Sequence, residues 1–217
     1  MQIRHINFVN WNYILKYFKT SESIFRIYQN YILELIGKEF TGDVIELGGE
    51  KKYNHKVFFP NASSFLVTNI GRDCDQIIDV TRMPYEDNSA DNFISISVLQ
   101  HVPNILAALE QIKSKLKPGG RLLIINAFAH PICDEKDYWR IGKDVYLEWF
   151  ADFHIETVFQ IGGKFSVAAN TFQRPKGKMK GVYLLYKLIG FFSLLLSKIL
   201  ERPDSFPLGF GIYAIKK

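Results

Sequence analysis

Apolar positions change their spacing twice along this chain. Between residues 8 and 36 they recur at helical intervals: Trp11, Ile14, Leu15 and Phe18, then Ile24, Tyr28, Tyr31, Ile32 and Leu35. That spacing predicts two helices, the second capped by Thr20 or Ser21 and stopped at Gly37. From Asp43 the pattern becomes short apolar runs between turn residues. Strands are predicted over 44–47, 64–68, 76–78, 93–97, 121–126, 154–161 and 208–216, with helices over 103–116 and 143–150. In the first of these helices Ile105, Leu109, Ile112 and Leu116 share one face. Strands alternating with helices imply an α/β domain, with a mostly parallel sheet covered on both faces.

The rhythm breaks again at 175–203. Arg174-Pro175-Lys176-Gly177-Lys178 reads as a basic linker, and residues 181–200 form a very apolar helix. Leu184, Leu188, Phe191, Phe192, Leu195 and Ile199 share its broad face, while Lys180, Lys187, Ser197, Lys198 and Glu201 group on the rest. A spanning helix needs about 20 nearly uncharged residues. Lys187 and Lys198 interrupt this one. The expected positions are against the domain, against a second copy, or on a membrane surface. The organisation is thus a helical segment at 1–40 and one domain at 41–217 that includes the 175–203 insertion.

Composition narrows this little. The 217 residues are 47% hydrophobic and 23% charged, as in ordinary globular chains. The net charge of +5 suits an acidic substrate or an anionic surface. Outside Lys176, Lys178 and Lys180 no basic block stands out, so a nucleic-acid partner is not expected. Cys74 and Cys133 suggest neither a disulfide framework nor a zinc site. No carboxylate/histidine cluster has the spacing of metal ligands, so no metal is expected. The first residues lack the apolar core of a signal peptide, and the expectation is a cytoplasmic protein.

Chemistry begins where the first strand stops. Val44-Ile45-Glu46-Leu47-Gly48-Gly49 is an apolar run ending in a carboxylate and a glycine pair. Such glycines let the backbone turn sharply and approach a ligand closely. A dinucleotide site wants a third glycine opening a helix, so that amides cradle a pyrophosphate. It is missing here. Asn69 follows about 20 residues later, at the end of the second strand. Asp79-Val80 follows the third strand, and Ser97-Val98-Leu99-Gln100-His101-Val102 the fourth. Leu116-Lys117-Pro118-Gly119-Gly120-Arg121-Leu122 is a turn into the fifth strand. After that strand come Ala127-Phe128-Ala129-His130-Pro131 and Asp137-Tyr138-Trp139-Arg140.

Together these stretches resemble the class I S-adenosylmethionine-dependent methyltransferases, in particular those with a type 11 methyltransferase domain. The resemblance covers about residues 40–165, including Met83-Pro84-Tyr85-Glu86-Asp87-Asn88-Ser89-Ala90-Asp91. It implies a Rossmann-like sheet of seven strands, the last reversed, and S-adenosylmethionine as cofactor. Glu46, Gly48 and Gly49 would take its methionine part, Asn69 and Ile70 its ribose side, Asp79 and Val80 its adenine, with Ser97 nearby. Relatives carry an acid where this chain has Asn69, Ser97 and Gln100. The 137–140 segment resembles methyltransferases of surface-glycan and lipid-linked sugar pathways. It implies that Asp137, Tyr138 and Arg140 meet the acceptor, with Asp137 paired to Arg140 as the alternative. His130, then His101, are candidate general bases for O-methylation of a small, sugar or lipid-linked acceptor. The alternative is a binding or scaffold protein that has lost catalysis.

Overall fold

The computed structural model describes residues 1–7, 12, 22–71, 73–132, 135–172, 180–202 and 206–217. The expected first helix, with Trp11, Ile14, Leu15, Phe18, Thr20 and Ser21, lies outside these residues, as do Cys133 and the 174–178 linker.

Runs too apolar to meet water on either side become the middle of one sheet. Its strands are β1 (Gln2–Ile6), β2 (Gly42–Leu47), β3 (Ala62–Asn69), β4 (Gln76–Ile77), β5 (Ala90–Ile96), β6 (Leu116–Ala127), β7 (Phe153–Ile161) and β8 (Gly209–Lys216). Their order is β1-β7-β8-β6-β5-β2-β3-β4. Every pairing is parallel except the two made by β8, which runs against β6 and β7. The expected seven-stranded sheet with a reversed last strand is present, and an eighth strand is added. It is β1, which lies parallel to β7 at the sheet's edge. Its residues are mostly exposed and only Ile6 is buried, so backbone pairing rather than burial makes it a strand.

Among the described residues five helices flank the sheet: α1 (Ile24–Ile36), α2 (Ile105–Lys115), α3 (Lys143–Trp149), α4 (Lys164–Thr171) and α5 (Lys180–Leu200). Alternate strand residues point to opposite faces. Val44, Ile94, Ile96, Leu123 and Ile125 pack under α1, α4 and the buried edge of α5. Ile45, Leu47, Phe93, Leu122 and Ile124 pack under α2 and α3. Ser23, not Thr20 or Ser21, caps α1: it is extended (ψ 154°) and its hydroxyl accepts from the Arg26 amide at 3.1 Å. Gly37 ends α1 in a right-handed conformation. A Cβ there would sit 2.1 Å from the Phe58 carbonyl oxygen, so close approach rather than a left-handed cap demands glycine.

The turn at Lys117–Gly120 lies within β6 as a bulge. Leu116 faces Ala90, yet the next partners are Arg121 and Asn92, and Gly119 takes φ +81° in between. Between Gly49 and β3 there is no α-helix. Two 3-10 turns, Lys51–Tyr53 and His55–Phe58, meet at left-handed Asn54. Helix α4, which has no strong periodicity of its own, is held by Glu201. That carboxylate accepts from the Phe165 and Ser166 amides at 2.9 Å and from the Ser166 hydroxyl at 2.7 Å.

Candidate active site

The chain proceeds from β2 to β3 and β4 on one side, then returns to β5 on the other. Ligands bind open α/β sheets in the crevice outside the carboxyl ends of the strands, where the order reverses. Here that point lies between β2 and β5. Gly48 turns there with φ +72°, and a Cβ on it would stand 2.4 Å from Val98 Cγ1, just past β5. A Cβ on Gly49 would stand 2.4 Å from Glu46 Cδ. Both glycines are therefore required by the protein's own atoms at this junction.

Glu46 is buried, and its Oε1 accepts from His55 Nδ1 at 2.6 Å. His55 Nε2 faces Arg26 Nη1 at 3.3 Å. A guanidinium only donates, so Nε2 accepts and Nδ1 carries the ring proton. Arg26 in turn stacks over Tyr53, its Cζ 3.9 Å from the ring centroid. Burial lowers the Arg26 pKa, opposed by the charges of Tyr53 and Glu46. The chain Arg26–His55–Glu46 was not anticipated from sequence. Its one signal is a histidine nine residues after Glu46, in a segment too short for a helix.

Asn69 caps β3 facing the same junction. Its Nδ2 donates to the carbonyls of Gly48 (3.1 Å) and Gly49 (2.8 Å), and its Oδ1 accepts from the Ile70 amide at 2.7 Å. It thus ties the glycine turn to the neighbouring strand. Ile70 beside it is 76% exposed, and among the described residues no atom beyond the chain neighbours lies within 4 Å of a Cβ built on Gly71. Asp79 is exposed, its Oδ1 accepting from the amide and hydroxyl of Thr81. Those bonds hold its pKa below the ordinary carboxylate value. Val80 is buried. Ser97 takes a left-handed conformation (φ +59°), and its hydroxyl accepts from Gln29 of α1 at 2.6 Å.

The other rim is built on the turn after β5. The Tyr138 and Trp139 amides donate to the Gln100 carbonyl, at 2.8 and 3.3 Å. Trp139 Nε1 donates to the Val102 carbonyl at 2.8 Å. His101 Nδ1 donates to the Lys136 carbonyl at 2.6 Å. These bonds stitch the 136–140 segment over the end of β5. Arg140 forms a two-pronged pair with Asp137, whose side chain is 1% exposed, and also donates to the Trp139 and His130 carbonyls. Tyr138 remains exposed. His130 donates from Nδ1 to the Pro131 carbonyl at 2.9 Å, and its ring packs on Phe25 at 5.6 Å. In both histidines the Nδ1 bond makes Nε2 the basic nitrogen of the neutral ring.

The turn after β5 also holds a buried amide with no partner among the described residues. Gln100 is 1% exposed, and neither its Oε1 nor its Nε2 has a hydrogen bond. At the end of β6, Asn126 donates to Tyr146 at 2.8 Å while its Oδ1 is likewise unmatched. Leaving such groups unpaired costs about 1–3 kcal/mol each. A polar ligand or water would recover it. Among the described residues no group of three His, Cys, Asp or Glu could hold a metal ion.

This strand order, reversed last strand and glycine turn at the switch point define the class I, Rossmann-like methyltransferase fold. Residues 33–124 match the methyltransferase domain family. A sterol 4-C-methyltransferase of Caenorhabditis elegans is 29% identical over 68 residues, which is 31% of this chain and 19% of that protein. Geranyl diphosphate C-methyltransferase of Streptomyces coelicolor, solved with S-adenosylhomocysteine, superposes with a TM-score of 0.57 at 10% identity. That alignment covers 87% of this chain and 75% of the other. The cyclase SpnF superposes with a TM-score of 0.56 at 15% identity, over 86% and 81%. These structural likenesses show the fold.

Proposed function

We propose that this chain transfers a methyl group from S-adenosylmethionine to a hydroxyl of a small, sugar or lipid-linked acceptor. The observation that carries this reading is the unpartnered Gln100 amide, buried in the turn after β5 whose Gln100 carbonyl accepts from the Tyr138 and Trp139 amides. Residues at the carboxyl ends of the strands suit the cofactor. Exposed Ile70 and open Gly71 fit a flat ring, Asp79 accepts hydrogen bonds, and the backbone at Gly48 and Gly49 with Ser97 would take the methionine end. Val80 would supply backbone groups beside the adenine. When bound, the cofactor supplies an electrophilic methyl on a positively charged sulfur.

The chain's own part is positioning and electrostatics. Nε2 of His130, or of His101, accepts the acceptor's proton at neutral pH, each ring being held in tautomer by its Nδ1 bond. Tyr138 offers a face to a sugar or an apolar chain. Asp137 holds Arg140 at the rim, where the guanidinium would meet an acceptor phosphate.

Calorimetry with S-adenosylhomocysteine tests the binding half. We expect binding in the protein as it stands and none in Gly48→Val, whose side chain would collide with Val98. Asn69→Asp would restore the relatives' acid, yet it removes the donor to the Gly48 and Gly49 carbonyls. It is expected to weaken binding about tenfold. No binding at high micromolar ligand would sink the reading. A second reading, a binding protein without turnover, is favoured by the commitment of both Asn69 groups to the protein itself. It predicts S-adenosylhomocysteine binding with no labelled methyl passing to lipid or sugar extracts.

A further inference from the structure

Helix α5 is turned so that its most apolar side faces out. Among the described side chains, Gly190, Leu194, Ser197 and Glu201, spaced as one helical stripe, are the buried positions. The opposite side presents Leu184, Leu188, Phe192, Leu196 and Ile199, between 41% and 78% exposed. No polar residue stands among these, and the helix is about 31 Å long. Monomeric soluble proteins rarely expose an apolar patch beyond a few hundred Å². The orientation is not loose: Glu201 at the helix end is bonded to the start of α4, and Phe191 and Leu195 pack on the core.

Charge distinguishes the occupants. From Arg174 to Arg202 the basic residues are Arg174, Lys176, Lys178, Lys180, Lys187, Lys198 and Arg202. The one acid of that stretch, Glu201, is turned inward. Pairing two copies of this helix would bring cationic flanks together, whereas an anionic surface neutralises them. No described helix is long and apolar enough to cross a membrane. We infer that α5 lies in the surface of an anionic membrane, its Leu188–Phe192 side in the acyl boundary and its lysines among the headgroups. The chain then returns to the site's edge, where the Phe128 and Ala129 amides donate to the carbonyls of Leu208 and Pro207. Nearby Phe206 and Ile132 are 61% and 83% exposed. Docking would set the mouth of the site against the bilayer, so that a lipid-linked acceptor arrives from it. That last consequence rests on the function proposed above; docking itself does not.

Flotation of the full chain with vesicles tests the docking. We expect it to rise with vesicles of phosphatidylcholine and phosphatidylglycerol and to stay behind with phosphatidylcholine alone. Leu188→Asp with Phe192→Asp should cut the floated fraction about tenfold. High salt should cut it several-fold. Both sites are on the exposed side, so an unchanged melting temperature and unchanged S-adenosylhomocysteine affinity would show that the fold is intact. Protein left at the bottom with anionic vesicles overturns the inference. So does a dimer, seen by light scattering, that the double substitution dissociates without any flotation.

Discussion

Helices α1 and α5 are both amphipathic and lie on the same face of the sheet, yet they turn opposite ways. α1 buries Ile24, Ile27, Tyr28, Ile32 and Leu33, and α5 shows Leu188 and Phe192 to solvent. An apolar stripe says that a face exists; it does not say where that face points. Polar anchors decide it here. Short α4 lies between the two helices and is bonded to both. Its Asn170 accepts from the Phe25 amide of α1 at 3.2 Å. Tyr28 donates to the Ser166 hydroxyl at 2.9 Å, and that hydroxyl donates in turn to Glu201 at 2.7 Å. That line of bonds holds the carboxylate end of α5 inward, and small Gly190 and Ser197 let this side approach.

The sharpest way to break the comparison is to truncate one leucine on each helix. Leu33→Ala should cost about 2–5 kcal/mol in urea unfolding, the usual range for a buried leucine. Leu188→Ala should stay within about 0.5 kcal/mol. Equal losses would mean that α5 is buried as α1 is. Next is the anchor. Glu201→Ala leaves two amides and a hydroxyl of α4 without their acceptor and should cost about 2–3 kcal/mol. Hydrogen exchange should quicken at Phe165 and Ser166 while the α1 interior stays protected. Tyr28→Phe removes the link on the α1 side and should cost about 1–1.5 kcal/mol. A double-mutant cycle with Ser166→Ala should show coupling of at least about 0.5 kcal/mol, and strict additivity would cut the proposed line of bonds. The smallest effect belongs to the α1 start: Ser23→Ala should lower stability by about 1 kcal/mol through loss of the cap, read as a lower thermal midpoint.

Much of the sheet is legible in the sequence because its middle strands are buried on both sides. Leu122 to Ile125 and Phe93 to Ile94 are wholly inside, and short apolar runs bounded by turn residues read as buried strands. The two additions to the fold lack that signal. β1 gains its place from backbone bonds to a distant edge, and α4 from a carboxylate that arrives 35 residues later. The candidate site divides in the same way. The turns that carry Gly48, Asp79, His101 and His130 follow from where strands stop. The partners do not. That Asn69 would brace the glycine turn, that Glu46 would meet His55 and Arg26, and that Gln29 would reach Ser97 depend on which loops fold against which. The unmatched Gln100 is visible only once its neighbours have been placed.

The edge strand β1 has a bearing on timing. His5 bonds to the Gly162 carbonyl, 157 positions further along the chain, and the Gly162 amide returns a bond to Ile6. At a synthesis rate of about 5–20 residues per second, β1 leaves the ribosome roughly 8–30 s before its berth exists. For that interval a short strand with exposed bonding groups has no native partner, and β7 in turn emerges with one side open. β1 is thus made long before β7, and pairing with it gives β7 its outer neighbour.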